Sequence, residues 1–134
     1  VRIKPGIRGE EATVVDESQT AAAIGSGTVA SFATPSLVTL MESAAIAAIT
    51  PYLDEGESSV GTEISVRHMA ASPLGFRVRA EAEVTAVEGK RITFAIVVFD
   101  DLEKIAEGTH ERYVIDFERF MERVRQKAAK APNG

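Results

Sequence analysis

The stretch TPSLVTLMESAAIAAIT, residues 34–50, lies inside a run from Ser18 to Leu53 in which Glu42 is the one charged residue. Thr34 is suited to cap a helix and Pro35 to open it. An N-cap hydroxyl accepts from an unpaired N–H, and proline at the first helical position lacks only an N–H that would have had no partner. Pro51 cannot continue the helix, so its end falls near Thr50, and the acidic PYLDEGES that follows reads as a turn-rich connection. Val38, Met41, Glu42, Ala45, Ile46 and Ile49 recur at i, i+3, i+4, i+7, i+8 and i+11 and share one face. Leu37, Leu40, Ala44, Ala47 and Ala48 make the remaining surface nearly as apolar, the pattern of a central helix covered on most sides. An ionised carboxylate there costs on the order of several kcal/mol unless it is paired or hydrogen-bonded, so Glu42 requires a partner or a raised pKa.

Downstream the period changes from helical to alternating. SVGTEISVRHMAA sets Val60, Thr62, Ile64, Val66, His68 and Ala70 on one strand face and Glu63, Ser65 and Arg67 on the other, which points His68 inward. GFRVRAEAEVTAV alternates Phe76, Val78, Ala80, Ala82, Val84 and Ala86 with charged or polar residues, and EGK at 88–90 makes the hairpin turn. RITFAIVVF is apolar on both faces, as a strand near the middle of a sheet would be. After a turn at Asp100–Lys104, IAEGTHERYVIDF is the last strand, ERFMERVRQKAAK has helical propensity, and the tail after Pro132 is expected to be loose. Upstream, EATVVDESQTAAAIG predicts one short strand and an irregular passage, and GSGTVASFA, residues 25–33, a loop. One long apolar helix followed by four antiparallel strands predicts an α+β architecture in which a curved sheet wraps the helix, the hotdog shape.

The 134 residues suit a single domain spanning 1–134. Fifteen basic against twenty acidic side chains, net −5, disfavour nucleic acid or an anionic membrane as partner. With no cysteine, disulfides, thiolate metal sites and a cysteine nucleophile are excluded. The start lacks the apolar run of a secretory signal, and a cytoplasmic protein is expected.

The motifs FAT, LMESA, PYLDEGESSVGT, VRHMAASPLG, AVEGKRITF and EGTHERYVID follow one another in an order that resembles the hotdog-fold thioesterases of the fluoroacetyl-CoA thioesterase-like family, from about Phe32 to Lys127. The resemblance implies hydrolysis of a short or small acyl-CoA without a cofactor, by a homodimer whose sheets join edge to edge. It assigns catalytic roles to Thr34, Glu42 and His68, and substrate or CoA contacts to Gly61 and Arg112. The fluoroacetyl-CoA specialists carry phenylalanines in the loop ahead of the catalytic Thr, whereas this chain has Gly25, Ser26, Gly27 and Thr28 there. That difference implies little preference for the fluorinated substrate.

Each assigned residue has a plainer reading. Thr34 is an ordinary cap, His68 a satisfied core histidine, Gly61 a bulge, and Arg112 a partner of Glu107 or Glu111. His110 reads as structural, and Met41, Met69 and Phe120 as core or interface filler. A metal held by His68, His110 and Glu42 would lack a chelating His-Glu-x-x-His pair. On the functional reading His68 is a general base on water or the Thr34 hydroxyl and Glu42 orients it, with Glu42 as nucleophile the competing route. Oxyanion donors would come from backbone N–H groups at the helix start or at Gly61. Thr34 and Glu42 are about 12 Å apart along a helix, and Gly61 to His68 spans about 23 Å of strand. One subunit therefore does not readily gather all of them, and Glu42 is expected to face a His68 of its own chain or of a neighbour. A hydratase or dehydratase of the same fold, and an acyl-CoA-binding dimer without turnover, are the other classes these residues allow.

Overall fold

A computed structural model describes residues 2–132. In chain order the elements are β1 (Arg8–Val14), a one-turn helix α1 (Ala21–Ile24), α2 (Thr34–Ile49), β2 (Glu57–His68), β3 (Arg77–Glu88), β4 (Arg91–Phe99), β5 (Lys104–Asp116) and α3 (Phe117–Ala129), with 3-10 turns at Glu17–Gln19 and Thr50–Tyr52. The loose tail expected after Pro132 lies outside the described residues.

The central helix forms, but one residue earlier than the capping reading places it. Ala33 is the N-cap, extended at φ −75° and ψ 146° and without a side-chain cap, and its carbonyl accepts from Leu37 N–H at 2.9 Å. Thr34 is thus the first helical residue, and its hydroxyl is not used for capping. Pro51 falls inside the 3-10 turn that ends the helix. The buried face consists of Leu37, Leu40, Met41, Ala44, Ala45, Ala48 and Ile49. It is displaced from the stripe read from the sequence: Val38 and Glu42 lie on its flank, and Ile46 is 41% exposed. The periodicity could not separate the two faces because nearly every position is apolar, so the sheet decides which one is covered.

Five strands form one antiparallel sheet in the order β1-β3-β4-β5-β2. Val78, Ala80, Ala82 and Val84 of β3 and Ile92, Phe94, Ile96 and Val98 of β4 are buried in the core that includes α2. The Glu88–Lys90 turn closes β3 on β4, with Glu88 opposite Arg91 and Gly89 at φ 62°. β1 crosses the helix at very short range: a Cβ on Gly9 would stand 2.3 Å from the Ala48 backbone nitrogen and 2.8 Å from the Ala44 carbonyl oxygen. Glycine facing alanines allows a strand backbone to lie on a helix backbone, which gives the Ala-rich composition of α2 a packing cause.

Two bulges change the facing read from simple alternation. Gly61 pairs with Arg112 but Glu63 pairs with Glu111, so Thr62 is the extra residue of β2. One inserted residue exchanges the two faces. Ser59 and Gly61 therefore face inward ahead of the bulge and Ile64, Val66 and His68 beyond it, while Val60, opposite Tyr113, and Thr62 leave the inner face they were expected to share. A second shift at Thr85 pairs Val87, rather than Ala86, with the buried Ile92. Of the residues read as filler, Met41 is buried in the core, Phe120 is half-buried on α3, and Met69 is 44% exposed.

Candidate active site

β2 runs beside α2 in the opposite direction, so its two ends meet the helix at two separate places. At the first, His68 Nδ1 lies 2.9 Å from the Thr34 hydroxyl. This contact exists because the helix starts at Ala33 and leaves the Thr34 hydroxyl free. Thr34 is exposed, whereas His68 is half-buried and its Nε2 is buried without a hydrogen-bond partner among the described residues. Burial pulls His68 below the usual imidazole range, opposed in part by the Ala70 backbone. The ring is therefore neutral near pH 7 and able to take a proton.

At the second place Glu42 meets Arg112. Arg112 Nη1 donates to Glu42 Oε2 at 3.1 Å and to His110 Nε2 at 3.1 Å, Nε donates to Ser59 Oγ at 2.8 Å, and Nη2 to the Ser59 carbonyl at 3.1 Å. Arg112 is buried and Glu42 is 38% exposed at the side chain, so the pair has one end in the core and one open to solvent. Burial weakens the Arg112 cation and Glu42 opposes that effect. Gly61 closes the group: a Cβ there would stand 2.7 Å from Glu42 Oε2 and 3.2 Å from Arg112 Nη1. The glycine read as a bulge marker sits next to the bulge and leaves room for the carboxylate–guanidinium pair.

The structure thus brings Thr34 to His68, and Glu42 to Gly61 and Arg112, but within one chain it does not bring Glu42 to His68. The ion-pair partner of Glu42 among the described residues is Arg112, with His110 Nε2 3.9 Å from the same carboxylate oxygen. Arg112 pairs with neither Glu107, which is bonded to Lys104, nor Glu111, which accepts from Thr62 on the other face of β5. Ser59 escaped the sequence reading, and His110 was read as structural without its place beside Arg112. His110 was legible in principle, because its spacing of two from Arg112 puts both on one face of a strand. Ser59 was not, since the Thr62 bulge decides which way it points.

A neutral imidazole bonded to a hydroxyl at a helix start, and a carboxylate held by a buried guanidinium, are the parts of a site that moves a proton and stabilises an oxyanion. The family model for the fluoroacetyl-CoA-specific thioesterase (FlK) matches residues 15–118. The fluoroacetyl-CoA thioesterase of Streptantibioticus cattleyicolor is 48% identical over 96 residues, which are 72% of this chain and 69% of that protein. A solved structure of a threonine-to-serine mutant of a fluoroacetyl-CoA thioesterase in complex with acetyl-CoA is 38% identical and superposes with a TM-score of 0.88, covering 93% of this chain and 98% of that one. A Thermus thermophilus hypothetical protein, a thioesterase superfamily member, is 28% identical with a TM-score of 0.87 and covers 98% of this chain and 100% of its own. With the helix wrapped by a five-stranded sheet and the match over most of its length, the chain belongs to the fluoroacetyl-CoA-specific thioesterase family and has the hotdog fold.

Proposed function

We propose that residues 1–134 form one domain and that it is an acyl-CoA thioesterase, which hydrolyses small acyl-CoA thioesters to the free acid and CoA. The observation that carries the reading is the 2.9 Å contact between the Thr34 hydroxyl and His68 Nδ1 at the exposed start of α2. A thioester needs an oxygen nucleophile, a base for its proton and donors for the oxyanion, and no cofactor. His68 takes the proton of the nucleophile, the Thr34 hydroxyl or a water in its place, as that oxygen adds to the acyl carbon. When the C–S bond breaks, the proton passes from His68 to the departing sulfur. In the Thr34 route a water then hydrolyses the acyl-enzyme ester. N–H groups at the start of α2 and the Arg112 guanidinium are the donors for the carbonyl oxygen, with Gly61 leaving space for approach.

The reading includes a homodimer. In one chain the Thr34–His68 and Glu42–Arg112 pairs sit about 12 Å apart, eight residues along the helix. An antiparallel pairing of β2 with its copy, centred on Ser65 and with Thr62 bulged out, sets Gly61 of one copy opposite His68 of the other, both on the inner face. Glu42 then reaches the His68 imidazole of the other copy, which it does not meet within its own chain. Of the two sheet edges β2 is the better candidate: β1 carries Arg8, Glu10 and Glu11 within seven residues, the charge that keeps an edge unpaired, while β2 carries Glu57, Glu63 and Arg67 over twelve. Free CoA thioesters are met in the cytoplasm, the location that suits this activity, and among the described residues no helix is long and apolar enough to cross a membrane.

Selectivity for a fluorinated acyl group is not part of the proposal. Gly25 ends α1 at φ 77°, and Ser26, Gly27 and Thr28 follow without an aromatic side chain, while Phe32 is buried in the core. Pocket filling of methylene size changes discrimination by about 1–3 kcal/mol, and small residues do not supply it. The test is release of free thiol across a panel of acyl-CoA substrates. Turnover of acetyl-CoA and somewhat larger thioesters, with a kcat/KM for fluoroacetyl-CoA no higher than its more electrophilic carbonyl explains, is the expected outcome. No thiol release from any substrate would reject the hydrolase. A large preference for fluoroacetyl-CoA would show that the loop discriminates without aromatics.

A further inference from the structure

β5 brings a second histidine, His110, against both members of the Glu42–Arg112 pair, and the proposed reaction does not use it. The ring is buried and stacks on Phe94, with centroids 5.9 Å apart and planes inclined by 28°. Nδ1 lies 2.8 Å from the Glu63 backbone carbonyl, which only accepts, so Nδ1 carries the hydrogen. Nε2 lies 3.1 Å from Arg112 Nη1, which only donates, so Nε2 presents a lone pair. Both partners demand the same neutral tautomer.

We propose that His110 is a positioning residue: the Glu63 carbonyl beside the Thr62 bulge holds it as the Nδ1–H tautomer, and its Nε2 supplies the acceptor that sets the orientation of Arg112 and, through it, of Glu42. Four of the five guanidinium N–H groups have partners among the described residues, two on Ser59, one on Glu42 and one on His110. Losing the His110 acceptor would leave a buried N–H of Arg112 unpaired, and the fork would turn to recover a partner. A second proton on His110 would have the same effect, with N–H facing N–H. The groups around the ring are Glu42 from α2, Arg112 and Glu111 from β5, the Glu63 carbonyl from β2 and the Phe94 ring from β4. Burial, reinforced by Arg112, keeps His110 below the usual imidazole range against the pull of the Glu63 carbonyl and the two carboxylates.

The inference rests on the hydrolase reading for its kinetic test but not for its structural one. The chain has two histidines, so in His68→Ala a single imidazole remains for 15N NMR. The expected spectrum at neutral pH is that of an Nδ1–H, Nε2-unprotonated ring, and an Nε2–H tautomer would overturn the proposal with no turnover measured. For the kinetics, His110→Gln places an acceptor oxygen near the Nε2 position, whereas His110→Asn keeps the donor to Glu63 and drops the acceptor. His110→Asn should lower kcat by about 10- to 100-fold, with a smaller change in KM, as loss of an orienting partner does, and His110→Gln should stay within a few-fold of the native enzyme. Equal losses in the two variants at unchanged thermal stability would reject the acceptor role. Should His110→Asn fail to fold, a His110→Gln variant as impaired as His110→Ala does the same. A native protein that releases no thiol rejects the hydrolase reading and leaves the tautomer measurement to decide this one.

Discussion

The carboxylate on an otherwise apolar helix is held by what faces it, and for Glu42 that is a guanidinium 3.1 Å away rather than the His68 imidazole. Removing the carboxylate charge while keeping its shape separates its role in the reaction from its role in packing. Glu42→Gln and His68→Ala should each lower kcat/KM by about 10²–10⁴-fold, the range of acid–base groups, with the fold retained by circular dichroism. Near-native turnover in either variant would remove that residue from the mechanism. Gly61→Ala is a finer probe, because its new methyl would press first on Glu42 Oε2, the free end of a flexible side chain. It should leave the unfolding midpoint nearly unchanged and lower kcat by about 10- to 100-fold through misplacement of that oxygen. The pH dependence follows from the direction of the His68 shift. Its folded pKa is depressed, so the base is lost only as pH falls below the ordinary imidazole value of about 6.5, and the acid limb of kcat/KM should lie below that pH. The same sign applies to stability: the unfolded chain takes up these protons first, so the contribution of a neutral His68 or His110 is complete above about pH 6.5 and is lost as pH falls through the folded value. An acid limb above pH 6.5 would mean that another group is the base.

Among the elements, α2 and β1 are held together by the absence of side chains. A Cβ at Gly9 would meet backbone atoms of Ala48 and Ala44, which cannot swing aside. Gly9→Ala should therefore destabilise the fold by about 1–3 kcal/mol, the range of overpacked cores, measured by urea unfolding. A native midpoint would show that β1 shifts at little cost. The main elements were legible in the sequence: Pro35 and Pro51 bracket α2, period-two alternation marks β3, and EGK marks the hairpin. What was not legible was parity. The bulges at Thr62 and Thr85 each insert one residue, and no local pattern in β2 or β3 announces them, because Thr suits either face of a strand. Hence His68 was read on the correct face, while Val60, Thr62 and Ala86 were not. The partner of Glu42 was equally hidden, since Arg112 lies 70 residues away in sequence and reaches the helix only through the β5–β2 pairing.

For the whole molecule, the separation of the two half-sites predicts how activity should behave when chains are mixed. If each site takes Glu42 from one copy and His68 from the other, Glu42→Gln and His68→Ala are both inactive alone. Unfolded and refolded together, they should recover about a quarter of native activity, since half the dimers are mixed and each holds one intact site. No recovery, with mixed dimers demonstrated by mass, would place each site within one chain. The sheet order carries a consequence for how such a site comes into being. β3, β4 and β5 follow one another and pair as neighbours, whereas β1 meets β3 across sequence separations from 63 (Val14 to Arg77) to 75 (Arg8 to Glu83). β2 likewise finds β5 only after the intervening hairpins exist. Closing long loops makes such contacts slow to form. The three-stranded meander is thus the natural nucleus, and the helix and β2 edge that hold Thr34, Glu42 and His68 join it late. In native-state hydrogen exchange the amides of β4 should be the last to exchange and those of β2 should open earlier, so a destabilised variant would lose the Thr34–His68 and Glu42–Arg112 contacts while the middle of its sheet still stands.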